Sequence, residues 1–186
     1  MDTPGDIGPT TVDDGRESEP PQRLALEVVI EGGNWPAADA LDALVTRAAA
    51  ALEAAPELES LLRHPATACV AFATDADVRT LNAQFRGKDK PTNVLSFPAQ
   101  APPQGLLGRH EPLPLGDVVL AAETVAAEAR DLGIPVSHHV QHLVVHGLLH
   151  LLGHDHESDA EADRMEALET RILAVLGVPD PYRSNE

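Results

Sequence analysis

Two histidines four residues apart, His146 and His150, followed by Gly153 and then His156, constrain this chain more than any other feature. Residues i and i+4 of a helix stand one above the other on a single face, so a helix here brings both imidazoles to one point. Gly153 can take the positive φ that ends a helix, and the turn then returns His156 toward the same point from outside it. Three neutral nitrogen donors suit Zn²⁺, and three protein ligands leave a fourth position for water, which is the catalytic rather than the structural arrangement. The chain is therefore expected to place a metal site at the end of a helix.

The same spacing occurs in the metzincin proteases, H-E-x-x-H-x-x-G-x-x-H, with one departure. Their glutamate, the general base of peptide hydrolysis, is Gly147 here. A metallopeptidase thus loses its central carboxylate, while the open metal position remains available to another hydrolysis.

At 186 residues with 43% apolar side chains, the sequence has enough material for one domain with a real core. Its single cysteine, Cys69, has no internal disulfide partner and sits in the apolar run Ala68–Phe72, where it reads as a small core residue of a buried strand. Residues 1–20 lack a basic start followed by an apolar stretch, and no run reaches the roughly 18 apolar residues of a membrane span. A cytoplasmic location without membrane contact is the expectation. The net charge of -17 argues against a nonspecific nucleic-acid coat, which needs clustered Lys and Arg. Residues 1–22, acidic and rich in Pro and Gly, are expected to be a disordered tail, with one domain over 23–180 and a short C-terminal tail at 181–186. A second acidic run, Glu157, Asp159, Glu161, Asp163, Glu166 and Glu169, reads as the solvated first half of a helix, its early carboxylates near the positive end of the dipole.

Apolar periodicity predicts strands at 24–30, 67–73, 94–97 and 116–120. Helices are predicted at about 38–52, in a segment carrying Val78, Leu81, Asn82 and Phe85 before the polar turn that starts at Arg86, at about 122–132, in the histidine segment with the stripe Val140, Leu143, Val144, Leu148 and Leu151, and at about 158–176. Thr74 or Asp75 is the expected cap of the second helix and Ser137 that of the histidine helix. Residues 98–115, rich in Pro and Gly, read as a long loop. Strands 94–97 and 116–120 suggest a hairpin-like pair. The fold class is α+β: a single layered domain in which a small mixed β-sheet packs with helices.

Residues 86–97 form the second informative segment. Arg86, Lys88 and Lys90 outnumber Asp89 in an otherwise strongly negative chain. Arg offers a planar fork matched to phosphate oxygens, and Lys a mobile point charge. If the fold sets this segment beside the histidines, a Lewis acid and a phosphate clamp meet, which is the chemistry of phosphodiester cleavage.

The segments Arg86–Phe97, Gly116-Asp117-Val118 and His146–His156 together resemble the YbeY family of bacterial metal-dependent endoribonucleases. The resemblance covers roughly residues 24–178. It implies an α+β fold, one zinc ion on His146, His150 and His156, and a functional arginine at Arg86. It further implies cleavage of single-stranded RNA in maturation of the small-subunit rRNA 3′ end and in ribosome quality control. The implied partners are RNA, the ribosome or its small-subunit proteins, and an assembly GTPase. His154 departs from the family pattern, in which many members carry an aromatic residue, and adds a fourth candidate donor.

Lys88 and Lys90 are RNA-binding candidates. His142, one turn before His146, is a candidate to orient a ligand or line the cleft, with a packed histidine the alternative. Asp155 could bond a ligand imidazole or cap the next helix, and Asp117 could add a carboxylate near the site or serve a turn. His138 and His139, at the helix start, read as surface residues. The rivals to an endoribonuclease are a noncatalytic assembly factor that uses zinc for stability and, disfavoured by Gly147, a metallopeptidase.

Overall fold

The computed structural model describes residues 22–100, 111–154 and 158–183. The expected acidic tail therefore lies, except for Gln22, outside the described residues, as do Asp155 and His156. In chain order the elements are β1 (Leu24–Ile30), α1 (Ala38–Glu53), β2 (Ala66–Ala73), α2 (Asp75–Arg86), β3 (Val94–Pro98), β4 (Leu113–Ala121), α3 (Ala122–Leu132), α4 (Val136–Leu151) and α5 (Asp159–Val175). The strands form one mixed sheet in the order β1-β2-β4-β3, with β1, β2 and β4 parallel and β3 antiparallel to β4. The architecture is α+β, and the expected hairpin-like pair is present, with Val94 opposite Leu120 and Phe97 opposite Asp117.

Alternation along the strands sorts their side chains into two faces. Ala66, Ala68, Val70 and Phe72 of β2 and Val118 and Leu120 of β4 turn toward α1 and α4 and belong to the main core. A smaller cluster on the other face, Ala73, Val78, Leu95, Val119 and Ala121, lies beneath α2. Cys69 belongs to this second face and is only partly buried, so it is not the interior residue its apolar surroundings suggest.

Helix α4 packs on β3 and β4 and against α1, α3 and α5, and apart from its histidine face its buried apolar residues run round the helix rather than along one narrow stripe. Val140, Leu143, Val144, Val145, Leu148, Leu149 and Leu151 are all buried. Gly147 sets how close it comes to the sheet. A Cβ there would stand 2.5 Å from Val118 Cγ1 and 3.2 Å from Ser96 Oγ, and the Ser96 hydroxyl donates to the Gly147 carbonyl at 3.3 Å. The position that carries the metzincin glutamate is thus pressed onto β4 and β3, where a longer side chain has no room.

Two boundaries differ from expectation. The histidine helix begins at Val136 with Pro135, not Ser137, as its N-cap, because the Pro135 carbonyl already accepts from the backbone N–H groups of His138 and His139. Strand β4 begins at Leu113, inside the segment read as loop. The ladder passes from Thr67–Pro114 to Ala68–Gly116, leaving Leu115 as an extra residue, and a bulge of this kind accommodates a proline that would otherwise interrupt a strand. Gly116 sits at φ +124° with the Phe97 carbonyl 2.1 Å from where a Cβ would be, so only glycine fits. Thr74 caps α2 as expected, in a reciprocal capping box with Asp77.

Candidate metal centre

The helical spacing of His146 and His150 brings their Nε2 atoms to 3.1 Å. Two nitrogens bound to one tetrahedral ion at about 2.0–2.1 Å stand about 3.3 Å apart, so this pair already has the spacing of two ligands of one metal. Beyond it, Gly153 adopts φ +89° as expected. The Gly153 N–H donates to the His150 carbonyl and the His154 N–H to the Leu149 carbonyl, a doubly bonded helix end of the kind glycine favours. Burial pushes the pKa of His154 down, favouring its neutral imidazole.

The far side of His146 meets a residue that the sequence reading placed in solvent. Glu169 of α5 is fully buried. One of its oxygens lies 3.4 Å from His146 Nδ1 and accepts from the Tyr182 hydroxyl at 2.6 Å, and the other lies 2.9 Å from His142 Nε2. Burial pushes this carboxyl's pKa up, but the hydrogen bonds and charge of His142 and His146 outweigh it and hold the group down at about 2. The acidic run after the histidines is therefore solvated only in part. Glu161 joins Ser158 in a capping box, as its early position suggested, whereas Glu169 falls on the apolar stripe with Met165, Leu168 and Ile172. That position, four residues after Met165 and three before Ile172, was the signal in the sequence. Tyr182, set apart with the C-terminal tail, also reaches the site.

His142, His146 and Glu169 bring donor atoms within 4.8 Å of one another and could hold a metal ion. The two arrangements share His146, whose Nδ1 faces Glu169 and whose Nε2 faces His150. His142, which the sequence leaves open between a cleft residue and a packed one, stands with His146 around Glu169, while its neighbour His139 is not a surface residue. His139 is buried at 4% exposure with Nε2 2.7 Å from Glu128, and the Asn93 side-chain amide donates to the same carboxylate oxygen at 2.9 Å. This network pins the start of β3 to α3 and α4.

Arg86 ends α2, and Lys88 and Lys90 follow it; all three are exposed and, among the described residues, have no ion-pair partner. Asp89 does not neutralise Arg86, because Arg79 takes it through two hydrogen bonds of 2.7 and 2.9 Å. The segment follows the end of α2 on one face of the edge strand β3, and the histidine helix lies on the other face. Ser96 touches Gly147 of α4, while the next residue, Phe97, meets Phe85 on the opposite face with ring centroids 5.2 Å apart. Asp117 is not brought to the histidines. Its neighbour Val118 faces α4, so Asp117 points to the other face, where it shares a shallow groove with Glu27 and Cys69. Burial and then the nearby carboxylates of Asp117, Glu27 and Glu31 push the Cys69 thiol up, away from nucleophilic character.

A mixed sheet backed by a central helix that presents paired imidazoles, braced by a buried carboxylate, defines an α+β protein with a site that could hold a metal ion. A family model described as Endoribonuclease YbeY matches residues 37–177, and the chain belongs to that family. It is 49% identical over 162 residues to Endoribonuclease YbeY of Rhodopseudomonas palustris (strain BisA53), across 87% of this chain and 92% of that one. It is 47% identical over 169 residues to Endoribonuclease YbeY of Chelativorans sp. (strain BNC1), across 91% and 98% of the two chains. The fold is similar to the solution structure of TM1509 from Thermotoga maritima, with a TM-score of 0.50 and 20% identity over 86% of this chain and 99% of that chain. Among the described residues, no helix is long and apolar enough to cross a membrane.

Proposed function

We propose that this chain is a zinc-dependent, single-strand-specific endoribonuclease acting in small-subunit rRNA 3′-end maturation and ribosome quality control. The observation that carries this reading is the 3.1 Å approach of His146 Nε2 and His150 Nε2 in a chain of the YbeY family. In this assignment His146, His150 and His156 hold the ion, and Glu169 orients His146 through Nδ1 rather than serving as a ligand, since it is sealed from solvent and engaged by Tyr182 and His142. Nitrogen donors suit zinc better than magnesium or calcium, which take oxygen ligands.

A bound ion supplies a Lewis acid that polarises a phosphodiester oxygen and eases ionisation of water. The chain's own residues do the rest. Arg86 offers a bidentate fork to the phosphoryl oxygens, and Lys88 and Lys90 add positive charge along the strand's path. Glu169 and Tyr182 fix the ring plane of His146. With Gly147 at the metzincin base position, the attacking oxygen finds no carboxylate there. Two nucleophiles fit, the substrate's own 2′-hydroxyl and water, and their products differ: a 2′,3′-cyclic phosphate end from the first, a linear phosphate from the second.

Cleavage of single-stranded and structured small-subunit rRNA fragments by the wild type, His150→Ala and Arg86→Ala proteins tests the reading, each variant first checked for folding. Cleavage of the single-stranded fragments that both variants lose is expected. A wild-type protein that binds zinc yet leaves RNA intact would overturn it in favour of a noncatalytic assembly factor, and digestion of casein would instead favour a peptidase. Within the ribosomal setting, the partners we propose are small-subunit proteins and an assembly GTPase, and the compartment is the cytoplasm.

A further inference from the structure

Of the three phenylalanines in the chain, two are packed and one is not. Phe72 is fully buried and Phe97 packs against the smaller cluster, but Phe85 is 60% exposed. Nothing in the core requires an aromatic ring there: α2 is anchored by Val78 and Asn82, both buried, with Leu81 against the smaller cluster. Phe85 instead leans edge-on against Phe97, which holds its plane while leaving much of the ring open to solvent.

The charge around it is equally specific. Arg86 follows directly, Lys88 and Lys90 lie within five residues, and the one carboxylate in the segment, Asp89, is taken by Arg79. In a chain of net charge -17, this patch is exposed, positive and aromatic at once. Consecutive residues of β3 connect the two sides: Phe97 meets Phe85 on one face of the strand, and Ser96 meets Gly147, the residue after His146, on the other.

We propose that Phe85 is a base-stacking platform for single-stranded RNA, seating one nucleobase beside the phosphate held by Arg86 as the strand crosses the edge of β3 toward His146 and His150. The inference rests on the RNA-cleaving reading above and adds to it a cause of strand selectivity. An exposed ring can stack on a base only when that base is not already stacked and paired, so a duplex gains nothing from it, whereas cations attract both forms alike. Stacking accepts any base, so the platform favours single strands without imposing a sequence.

The test measures binding of three fluorescent 2′-O-methyl oligonucleotides of equal length to the full chain: a single strand, the same strand annealed to its complement, and a strand with abasic units in place of bases. Loss of one stacked base corresponds to about 5- to 160-fold in affinity. Phe85→Leu, which keeps the contact with Phe97, is expected to weaken binding of the single strand by that factor and to leave the duplex and the abasic strand within twofold of wild type. Phe85→Trp should restore single-strand binding, with its indole emission quenched by the single strand but not by the abasic one; this variant carries the test if the leucine variant fails to fold. Equal binding of the single strand by wild type and Phe85→Leu, or an equal loss on all three ligands, overturns the platform. If the wild type cleaves RNA while Phe85→Leu binds normally, only the platform falls. If the wild type neither binds nor cleaves RNA, the proposed function falls with it.

Discussion

His146 Nδ1 and a carboxylate oxygen of Glu169 lie 3.4 Å apart in a site where that carboxylate is wholly removed from solvent. A buried carboxylate persists only with partners, and here two imidazoles and a phenol surround it. Such an outer carboxylate fixes the tautomer and the plane of a metal-binding imidazole and makes it a stronger donor. Glu169→Gln, nearly isosteric, is expected to lower zinc affinity by about 10- to 100-fold. Competition against a chromophoric chelator reads this directly, and affinity equal to wild type would assign Glu169 to packing alone.

Zinc itself should raise the melting temperature. An ion that binds only the folded chain stabilises it by about 2.7 kcal/mol at one hundred times its dissociation constant, or about 5–10 °C for a chain of this size. The rise should vanish in His146→Ala and His150→Ala, and chelation of the wild type should reverse it. Thermal melts with and without zinc make the comparison.

Much of this site could be read from residue spacing alone. The i, i+4 histidines and the helix-ending Gly153 depend only on local backbone geometry, which a sequence carries. The same locality marked Thr74 as a candidate cap of α2, whereas Ser158, read as the first residue of the last helix, is in fact its cap. Glu169 was misread because its charge was counted with its neighbours', while burial depends on which face of α5 meets α4, a fact of tertiary packing. Asp117 failed for a related reason: its neighbour Val118 faces the helix, and strand alternation turns every second side chain away. Leu113 and Pro114 were lost to the loop because prolines signal a break, and only the bulge at Leu115 explains how a strand tolerates them.

Tyr182 is the only tyrosine, which makes its titration visible without interference. Burial first, then the hydrogen bond to Glu169 and the negative charge of that group, of Glu166 and of Asp180, push its pKa well above the ordinary value near 10. A raised pKa in the folded state means that its stabilising contribution is complete below pH 10 and is lost as the pH climbs through the folded value. Absorbance at 295 nm should stay flat through about pH 11 in the native protein and rise near pH 10 in urea. A native transition near pH 10 would show that the contact with Glu169 is not maintained in solution.

Gly147→Ala probes the approach of α4 to the sheet. The added methyl would sit 2.5 Å from Val118 Cγ1, and neither element can retreat without disturbing the core between them, so overpacking of about 1–3 kcal/mol is expected. Because the clash is with the sheet rather than with the ion, the metal-free protein should lose as much stability as the zinc-loaded one. Gly147→Glu, which restores the metzincin pattern in sequence, should fail to fold rather than gain peptidase activity. Denaturant melts of both forms decide the point.

Arg86 stands exposed at the end of α2, with Asp89 committed to Arg79 and no carboxylate among the described residues to hold it. A structural role would require such a partner, so removing the side chain should cost little stability. Arg86→Ala is therefore expected to leave zinc content and melting temperature nearly unchanged while cutting RNA cleavage by about 100- to 1,000-fold, the loss typical of one transition-state donor. Arg86→Lys should recover only part of the rate, because an ammonium restores the charge but not the two-pronged geometry. Single-turnover cleavage at saturating protein separates this from a binding defect: a clamp that acts on charge developing in the reaction slows the chemical step even when all the RNA is bound. A folded, zinc-loaded Arg86→Ala protein that cleaves at the wild-type rate would remove the residue from the mechanism and leave Lys88 and Lys90 as the only cations of the segment available to the phosphate.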